Sequence, residues 1–496
     1  MKDVIVIGGG VAGLIAARAC ARVGLSVTVL EATGVPGGAL GSHEVAGLTL
    51  DSGAESFAVR RNAVAEFIAD LGLSDEVVAP NPAGAWLVLP SDRVPNGSIS
   101  VPLPKAGVLG IPGSPLADDV RRVIGWRGAL RAYADRLMPV LTIGREHSLG
   151  ELVRKRMGRR VLELLVEPVT AGVYSSSADD LEIDVVAPGL NSALTVTGSL
   201  SGAVLSLRSG APAGSNVAGL RGGMSRLVAA LVADLAHFDA QIVTGAPVTA
   251  LQRAGTEDAP TWTVTCAAAT AAPDADADSP EALTAEATLD ARFVIIATPG
   301  AQALGLLANL SPAHAALAEL DWPQPTAIEL ATIVIDAPEL DTHPRGTGVL
   351  VAAATPDVTA KALTHVTAKW EWLAEAAGPG RHVIRLSFGR AGQDSPTAGL
   401  SDDELLALSL QDARTILGVD LDAAAVRGFA RTVWGDALSP ATVGAPERVS
   451  QVREVVAATP GLELTGAWLA GTGLASVIPD AVAAAARTRH EALGLG

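Results

Sequence analysis

The stretch Val4-Ile5-Val6-Ile7-Gly8-Gly9-Gly10-Val11-Ala12-Gly13 decides the fold of this chain. Its first four residues are β-branched and apolar, which is typical of a buried parallel strand. The glycines follow with the spacing G-x-G-x-x-G. In that motif the first glycine permits a tight turn, the second lets the backbone approach a pyrophosphate, and the third lets a helix pack on the strand. The pattern predicts a strand, a phosphate-binding turn and the start of a helix.

The residues that follow complete a βαβ unit. A helix is expected from about Ala12 to Val23, Gly24 is placed to cap it, and Val27 to Leu30 is expected to form the second parallel strand. The start of the helix offers free N–H groups and a partial positive charge to two phosphates. Glu31, at the tip of the second strand, can accept both ribose hydroxyls of an adenosine, which favours FAD or NAD over a 2′-phosphorylated cofactor.

Composition narrows the classes of function. The 496 residues include 36 Lys and Arg against 53 Asp and Glu, a formal charge of −17, which argues against nucleic acid as a partner because a phosphate backbone needs a basic face. The two cysteines, Cys20 and Cys266, have no metal-ligand spacing around them, so no metal is proposed and a reduced, cytoplasmic setting fits best.

No secretory signal is expected at the N-terminus. The uncharged run from Val185 to Leu207 is expected to be buried or interfacial rather than membrane-spanning.

Periodicity assigns the remaining elements. We expect helices at 62–71, 149–165, 225–236 and 402–417, strands at 241–243, 248–252, 261–266 and 293–297, a separate mixed or antiparallel sheet between about 326 and 390, and a strand, glycine turn and long helix over 462–489. The helix at 149–165 carries the basic residues Arg154, Lys155, Arg156, Arg159 and Arg160, which are expected to form one solvated face. The acidic, Ala/Asp/Pro-rich stretch 267–287 is expected to be a hairpin tip without a catalytic role.

Several short motifs carry a resemblance that recurs in order along the chain. They are Pro36-Gly37-Gly38, Leu50 to Phe57 (LDSGAESF), Leu220 to Met224 (LRGGM), Pro247-Val248, Ile296 to Pro299 (IATP), Thr465 to Trp468 (TGAW) and Gly471 to Leu474 (GTGL). Together with the N-terminal motif they resemble the flavin amine oxidase and protoporphyrinogen oxidase superfamily. The resemblance implies FAD, bound non-covalently. The cofactor-binding residues that it and the motif predict are Gly8, Gly9, Gly10, Val11, Ala12, Gly13, Glu31, Ala32, Gly38, Ala39, Gly53, Ala54, Glu55, Ser56, Val248, Trp434, Gly466, Ala467, Gly471, Thr472, Gly473 and Leu474.

Two further stretches resemble one branch of that superfamily, the porphyrinogen oxidases. They are Glu167 to Tyr174 (EPVTAGVY), followed by Asp180-Leu181-Glu182, and Leu103-Pro104-Lys105 with Gly110-Ile111-Pro112. Glu55-Ser56-Phe57 with Arg60 resembles the bacterial type, which converts coproporphyrinogen III to coproporphyrin III. The resemblance implies an oxygen-dependent, six-electron aromatisation in haem biosynthesis with H₂O₂ as product. Arg60 and Lys105 are candidates for substrate carboxylates and the backbone at Gly172 for orienting the macrocycle, whereas no catalytic base is assigned.

The predicted fold class is α/β, or α+β overall, with a Rossmann-like FAD-binding domain (1–85, 215–300 and 432–496), a sheet-bearing substrate domain (86–110 and 301–431) and a helical insertion (111–214). The insertion resembles the membrane-facing domain of the family, for which we expect at most peripheral membrane contact. A homodimer is compatible with the sequence.

Three alternatives stay open at this point. The first is oxidation of protoporphyrinogen IX. The second is another oxidase or desaturase of the superfamily, acting on an amine or a carotenoid, although amine oxidases often attach their flavin through a C-terminal cysteine and this chain has none beyond Cys266. The third is a flavin-fold binding module without catalysis, as in the prenyl-GTPase dissociation inhibitors.

Overall fold

The computed structural model describes residues 1–59, 62–91, 94, 97–105, 107–138, 145–209, 217–255, 260–267, 286–323, 327–435 and 441–494. Arg60 and most of the acidic stretch, residues 268–285, lie outside the described residues, so the expectations for them stay predictions. The strands, in chain order, are β1 Lys2–Ile7, β2 Val27–Leu30, β3 Ser42–Val45, β4 Leu48–Asp51, β5 Phe57–Ala58, β6 Val77–Val78, β7 Ala85–Pro90, β8 Ser98–Pro102, β9 Gly107–Val108, β10 Ile111–Pro112, β11 Val217–Leu220, β12 Gln241–Val243, β13 Val248–Gly255, β14 Pro260–Cys266, β15 Ala287–Ile296, β16 Ile328–Asp336, β17 Gly348–Val351, β18 Ala362–His365, β19 Arg381–Phe388, β20 Val426–Trp434 and β21 Leu462–Leu464.

Helices connect these strands and form a separate block between β10 and β11. In chain order they are α1 Val11–Ala21, α2 Asn62–Asp70, α3 Asp118–Tyr133, α4 Leu149–Met157, α5 Arg159–Val161, α6 Glu167–Tyr174, α7 Ile183–Val186, α8 Leu190–Thr197, α9 Leu200–Ser209, α10 Ser225–His237, α11 Gly300–Leu307, α12 Pro312–Ala318, α13 Val366–Lys369, α14 Glu371–Ala377, α15 Asp402–Leu417, α16 Ala445–Ala457, α17 Ala467–Ala470 and α18 Leu474–Ala492.

The first sheet confirms the predicted βαβ unit. Its strand order is β12-β2-β1-β15-β14-β13, and β21 pairs with the second half of β15. β1 is parallel to both β2 and β15. It is buried on both faces, because Val4 and Val6 pack with α1, α10 and α18 while Ile5 and Ile7 join the cluster that contains α11 and α16. This is the environment that a continuous apolar run predicts.

The second sheet is the separate mixed sheet expected from the alternating stretches. Its order is β20-β16-β19-β18-β17-β7-β8, antiparallel except between β17 and β7. One face is closed by α15, whose predicted bounds of 402–417 are confirmed and whose first turn carries a capping box from Ser401 and Glu404. β20 extends to Trp434, so the second sheet includes the first residues of the segment that we assigned to the FAD-binding domain.

The helical block differs from the sequence expectation at one point. The helix predicted over 149–165 breaks at Gly158, whose φ of +92° is left-handed, and a short α5 and a π-helical turn at Leu162–Val166 follow. The basic residues of this stretch do not form one solvated face either. Arg156 is buried, pairs with Asp135, and donates to the carbonyls of Met138 and Gly198. A buried Asp135 on the chain between α3 and α4 supplies the partner, which helical periodicity alone does not reveal.

The uncharged run from Val185 to Leu207 contributes to α7, α8 and α9. In the described part of the chain no single helix is long and apolar enough to span a membrane. The pair α8 and α9 passes that test only when the two are taken together, and they are bent by 116° to one another.

Candidate functional site

The first and third glycines of the N-terminal motif are required by the protein itself. Gly8 has a φ of +105°, and a Cβ there would lie 2.9 Å from the carbonyl carbon of Ala297. A Cβ at Gly13 would lie 1.9 Å from the carbonyl oxygen of Gly8. The tight turn and the close packing of α1 on β1 that the motif predicts are therefore both present.

Gly10, the second glycine, is different because its surroundings are open. A Cβ built there meets no described atom within 4 Å, and its backbone (φ −67°, ψ 173°) suits any residue. α1 begins immediately after it, and the first turn of that helix, which is described throughout, carries no acidic residue and no side-chain cap. An open space at the positively polarised start of a helix fits a diphosphate.

Glu31 is held beside this turn by three hydrogen bonds. Its Oε2 accepts from the N–H of Gly9 at 2.7 Å, and its Oε1 accepts from the N–H and hydroxyl of Thr33, both at 2.8 Å. The N–H of Ala246 donates to the carbonyl of Glu31, which places the segment before Val248 alongside, while Ala32 is exposed. The carboxylate is thus oriented at the strand tip, where the motif expects the ribose of an adenosine.

The second glycine pair converges on the same turn. The N–H of Gly37 donates to the carbonyl of Gly9 at 2.9 Å, and a Cβ at Gly38 would lie 3.3 Å from Cα of Gly10. Gly37 and Gly38 have φ values of +125° and +56°, so this close approach uses left-handed backbone. The sequence did not predict this contact, because the two glycine elements are separated along the chain. The structure brings them together.

Residues 52–54 form a third segment, which packs against the second glycine pair and the residue after it, Ala39. The N–H of Ala54 donates to the carbonyl of Ala39 at 2.9 Å, and a Cβ at Gly53 would lie 2.2 Å from that oxygen. Nε1 of Trp434, at the end of β20, donates to the carbonyl of Ser52 at 2.8 Å. The predicted contacts Ala39, Gly53, Ala54 and Trp434 therefore lie in one cluster that adjoins the Gly10 turn, and half-buried Ser56 follows it in the chain.

The side chain of Glu55 is engaged within the protein. It is buried, and its carboxylate forms ion pairs with Nζ of Lys369 at 2.6 Å and Nη2 of Arg385 at 3.0 Å. Burial acts to raise the pKa of Glu55, but the two cations outweigh it and hold the pKa below its ordinary value. Any contact of Glu55 with a cofactor would therefore come from its backbone.

A second helix that begins directly after a glycine lies near the C-terminus, in residues 465–474. Gly466, Gly471 and Gly473 have φ values of +132°, +98° and +93°. α18 begins at Leu474 and packs against α1, and Asp480 in α18 accepts from Thr465 Oγ1 at 2.7 Å. Ala467 begins α17 directly after Gly466, and Thr472 lies between Gly471 and Gly473.

The face of the second sheet opposite α15 carries a row of residues beside these turns. Leu330, Ser387, Ala362 and Leu350 occupy adjacent positions on four neighbouring strands, from β16 to β17, and the last three are half-buried although the opposite face is closed. Three strand spacings make this row about 14 Å wide. β20, which carries Trp434, flanks the row at one end. We call this row the sheet wall.

The predicted substrate residues fall in different places. Gly172, on α6, lies at the far end of the sheet wall, because a Cβ there would come within 2.5 Å of Cδ2 of Leu350. Lys105 is exposed on the β8–β9 connection, where its backbone contacts Asp119 of α3 and Arg208 of α9, in the helical insertion. Arg60 lies outside the described residues. Of the two substrate candidates that the structure describes, Gly172 lies against the sheet wall and Lys105 does not.

Three charged residues near the glycine turns were missed by the sequence analysis. Arg385 and Lys369 come from the second sheet and the helix beside it. Arg385 was detectable as a charge inside the apolar strand HVIRLSF. Asp51 is the third: burial raises its pKa to about 6, although its carboxylate accepts from the N–H of Met224 at 2.8 Å. Its position in an LDSG motif gave no signal of an altered pKa.

Comparison with known proteins agrees with this geometry. The family described as "Flavin containing amine oxidoreductase" matches residues 11–488. The chain therefore belongs to that family, and it is a flavin-dependent oxidoreductase with the family's mixed α/β fold.

Individual relatives are similar to this chain over nearly its full length. The chain is 27% identical to a coproporphyrinogen III oxidase of Bacillus subtilis (strain 168), with 97% of each chain covered. It is 30% identical to the coproporphyrinogen III oxidase of Mycobacterium tuberculosis (strain ATCC 25618 / H37Rv), over 98% of this chain and 96% of that protein. A crystal structure from Exiguobacterium sp. 255-15, of a protein provisionally called a protoporphyrinogen oxidase, has a TM-score of 0.78 at 25% identity and covers 99% of both chains.

Proposed function

We propose that this protein oxidises coproporphyrinogen III to coproporphyrin III in haem biosynthesis, with FAD as cofactor and O₂ as electron acceptor. The observation that carries the proposal is the sheet wall, which is about 14 Å wide and runs from the cluster around Trp434 to Gly172 of the EPVTAGVY helix. A half-buried, largely apolar surface of that width suits a flat tetrapyrrole. The relatives named coproporphyrinogen III oxidase, matched over nearly their full length, support the same substrate.

The reaction depends more on how the macrocycle is positioned than on a catalytic side chain. Aromatisation removes six electrons and six protons from the macrocycle, and flavin, when bound, would supply a two-electron acceptor of hydride that O₂ can reoxidise with release of H₂O₂. Three rounds, consuming three O₂, complete the reaction. The sheet wall holds the macrocycle, Gly172 lets α6 approach Leu350 closely, and the two elements together exclude water from one edge of the ring.

FAD is the dinucleotide that this geometry supports, bound without a covalent link. The open Gly10 turn suits a diphosphate and oriented Glu31 suits the ribose hydroxyls. A thioether to the flavin would need an available thiol, whereas Cys20 and Cys266 are both buried, and burial raises the pKa of each.

The test uses the purified holoenzyme. An absorbance band near 450 nm that is released by acid or heat denaturation would show non-covalent flavin, and its chromatographic mobility would identify FAD. Incubation with coproporphyrinogen III should produce porphyrin fluorescence faster than autoxidation, with three H₂O₂ formed for each porphyrin. Protoporphyrinogen IX is the comparison substrate, because a chloroplast relative from rice is named protoporphyrinogen oxidase. A larger kcat/KM for protoporphyrinogen IX would reverse the assignment, and no gain with either substrate would refute it.

We further propose a cytoplasmic protein with peripheral contact to anionic membranes. The support is an exposed stripe on α3 and the turn after it: Trp126, Leu130, Tyr133 and Leu137 are 61%, 58%, 40% and 84% exposed, and exposed arginines at 127, 131 and 136 lie among them. Apolar side chains mixed with cations are typical of interfacial helices.

Sedimentation with phosphatidylglycerol vesicles tests this contact. Binding should be weakened by the double change Leu130→Ser and Leu137→Ser. It should be unaffected by Val35→Ser, a matched exposed residue elsewhere on the chain that is 70% exposed. Equal binding of the two variants, or no binding of the unmodified protein, would contradict the proposal.

A further inference from the structure

Two cations lie where the second sheet meets the end of α6. β19 ends at Phe388, and Gly389, with a φ of +88°, turns the chain toward Arg390. The N–H of Ala391 donates to the carbonyl of Ser175, the residue after α6, at 2.6 Å. Nζ of Lys361 donates to Ser175 Oγ and, at 2.8 Å, to the carbonyl of Gly389. Lys361 and Arg390 thus share one junction.

This junction carries more positive than negative charge. Lys361 is only 2% exposed and Arg390 is half-buried. In the described part of the chain neither cation forms an ion pair with a carboxylate. Glu167 is the nearby acid, and its Oε1 already accepts from the hydroxyl of Ser177 at 3.0 Å and the N–H of Ala178 at 3.2 Å.

The protonation behaviour agrees with an uncompensated cluster. Burial, together with the nearby charge of Arg390, lowers the pKa of Lys361 to about 7. Burial also lowers the pKa of Arg390, and the negative charge of Glu167 opposes this effect. A half-buried cation that forms no ion pair with the described carboxylates is unfavourable, and an anion that reached this junction would relieve the cost.

The junction borders the sheet wall. Lys361 directly precedes Ala362 and Arg390 follows Ser387 by three residues, and both Ala362 and Ser387 are wall positions. The same α6 that ends at Ser175 places Gly172 on Leu350, the last residue of the wall. The turn that carries Arg390 therefore lies at the margin of the wall, the side from which an anionic group of a molecule on the wall would approach it.

We propose that Arg390 binds a carboxylate of the substrate at the edge of the sheet wall and favours a macrocycle with carboxylates on all sides over one with fewer. The inference rests on the proposed function for the identity of the substrate. Lys361 acts as a positioning residue, because its bonds to Ser175 and Gly389 fix the turn that presents Arg390.

The test compares three variants. Arg390→Gln should raise KM for coproporphyrinogen III about tenfold, as expected for one lost charge-assisted contact, with kcat and flavin content within about twofold of the unmodified enzyme. Arg390→Lys should recover most of the affinity because the charge is kept. Arg427→Gln, which removes a cation from β20 in the same sheet where it pairs with Asp336, is the matched control and should leave KM unchanged.

A substrate without carboxylates separates recognition from structure. With the tetramethyl ester of coproporphyrinogen III, Arg390→Gln and the unmodified enzyme should have the same KM. An unchanged KM for the free acid would overturn the inference. An equal loss with acid and ester would overturn it as well, since the effect would then be structural.

Failure of the proposed function remains distinguishable from failure of this inference. If the unmodified protein oxidises neither porphyrinogen, binding of coproporphyrin III is measured directly by fluorescence titration. Weaker binding by Arg390→Gln but not by Arg427→Gln would still support Arg390 as the carboxylate ligand, whereas equal binding would refute it.

Discussion

Nη2 of Arg385 lies 3.0 Å from the carboxylate of Glu55, an ion pair that joins β19 of the second sheet to the segment after β4. Nη1 of the same side chain donates to the carbonyls of Asp51 and Gly53 at 3.1 and 2.9 Å. Gly53 stacks on Ala39, next to the turn at Gly10. The second sheet thereby fixes the loop that adjoins the predicted flavin site, although the two are more than 300 residues apart in sequence.

Arg385→Gln should lower the free energy of unfolding by roughly 2–3 kcal/mol. Breaking a buried pair typically costs about 3–5 kcal/mol, and Lys369 remains to compensate Glu55 in part. Arg487→Gln is the control, since Arg487 pairs with Glu463 at the surface and should cost less than about 1 kcal/mol. Denaturant titrations of the flavin-free proteins would measure both. A cost for Arg385→Gln no larger than that of the control would show that the buried pair is not stabilising.

Gly10→Val and Gly13→Ala should fail for different reasons. Gly10→Val should yield a folded protein without flavin, because a Cβ there meets no described protein atom within 4 Å, while the added side chain would fill the space for the pyrophosphate. Gly13→Ala should disrupt folding, since its Cβ would lie 1.9 Å from the carbonyl oxygen of Gly8. Circular dichroism and the absorbance ratio at 450 and 280 nm distinguish the two. A Gly10→Val protein that purified with full flavin would rule out the assigned phosphate site.

Glu31→Gln should weaken FAD binding about tenfold, the effect of replacing charge-assisted hydrogen bonds with neutral ones. The variant should remain folded, because the amide oxygen can still accept from the N–H of Gly9. Titration of the apoprotein with FAD measures the dissociation constant. Glu44→Gln, a change to an exposed residue of β3, is the control, and an equal affinity of the two variants would argue against a ribose contact.

Lys361→Met should change how stability depends on pH. The pKa of Lys361 is about 7 when folded, below the ordinary value of 10.5, so between these limits the unfolded chain binds more protons. The stability of the unmodified protein relative to Lys361→Met should therefore rise as pH increases from 7 to about 10. Denaturant midpoints at several pH values would measure this difference. A difference that stayed flat or fell over this interval would show that Lys361 is not buried as a destabilised cation.

The N-terminal βαβ unit and α15 were predictable because the sequence features that define them act over a few neighbouring residues. β2 occupies the predicted 27–30 and α15 the predicted 402–417, since strand propensity, glycine conformation and capping all act within a few residues. The helix predicted over 149–165 was wrong because the left-handed Gly158 interrupts it, and a periodic apolar pattern does not report φ. Arg156 was misjudged for a related reason, as its partner Asp135 belongs to another element.

By itself, the sequence determined that a βαβ unit with a glycine turn opens the fold and that a second sheet follows. It also predicted that the glycines near residues 37, 53 and 472 contact the cofactor, which stays a prediction. Only the tertiary structure decided that Gly38 lies against Gly10 and that Glu55 forms ion pairs with Arg385 and Lys369. It also decided that Lys361 and Arg390 share a junction with α6. The physical reason is range: backbone conformation and capping are set by neighbours along the chain, whereas ion pairs and burial depend on residues that only folding brings together.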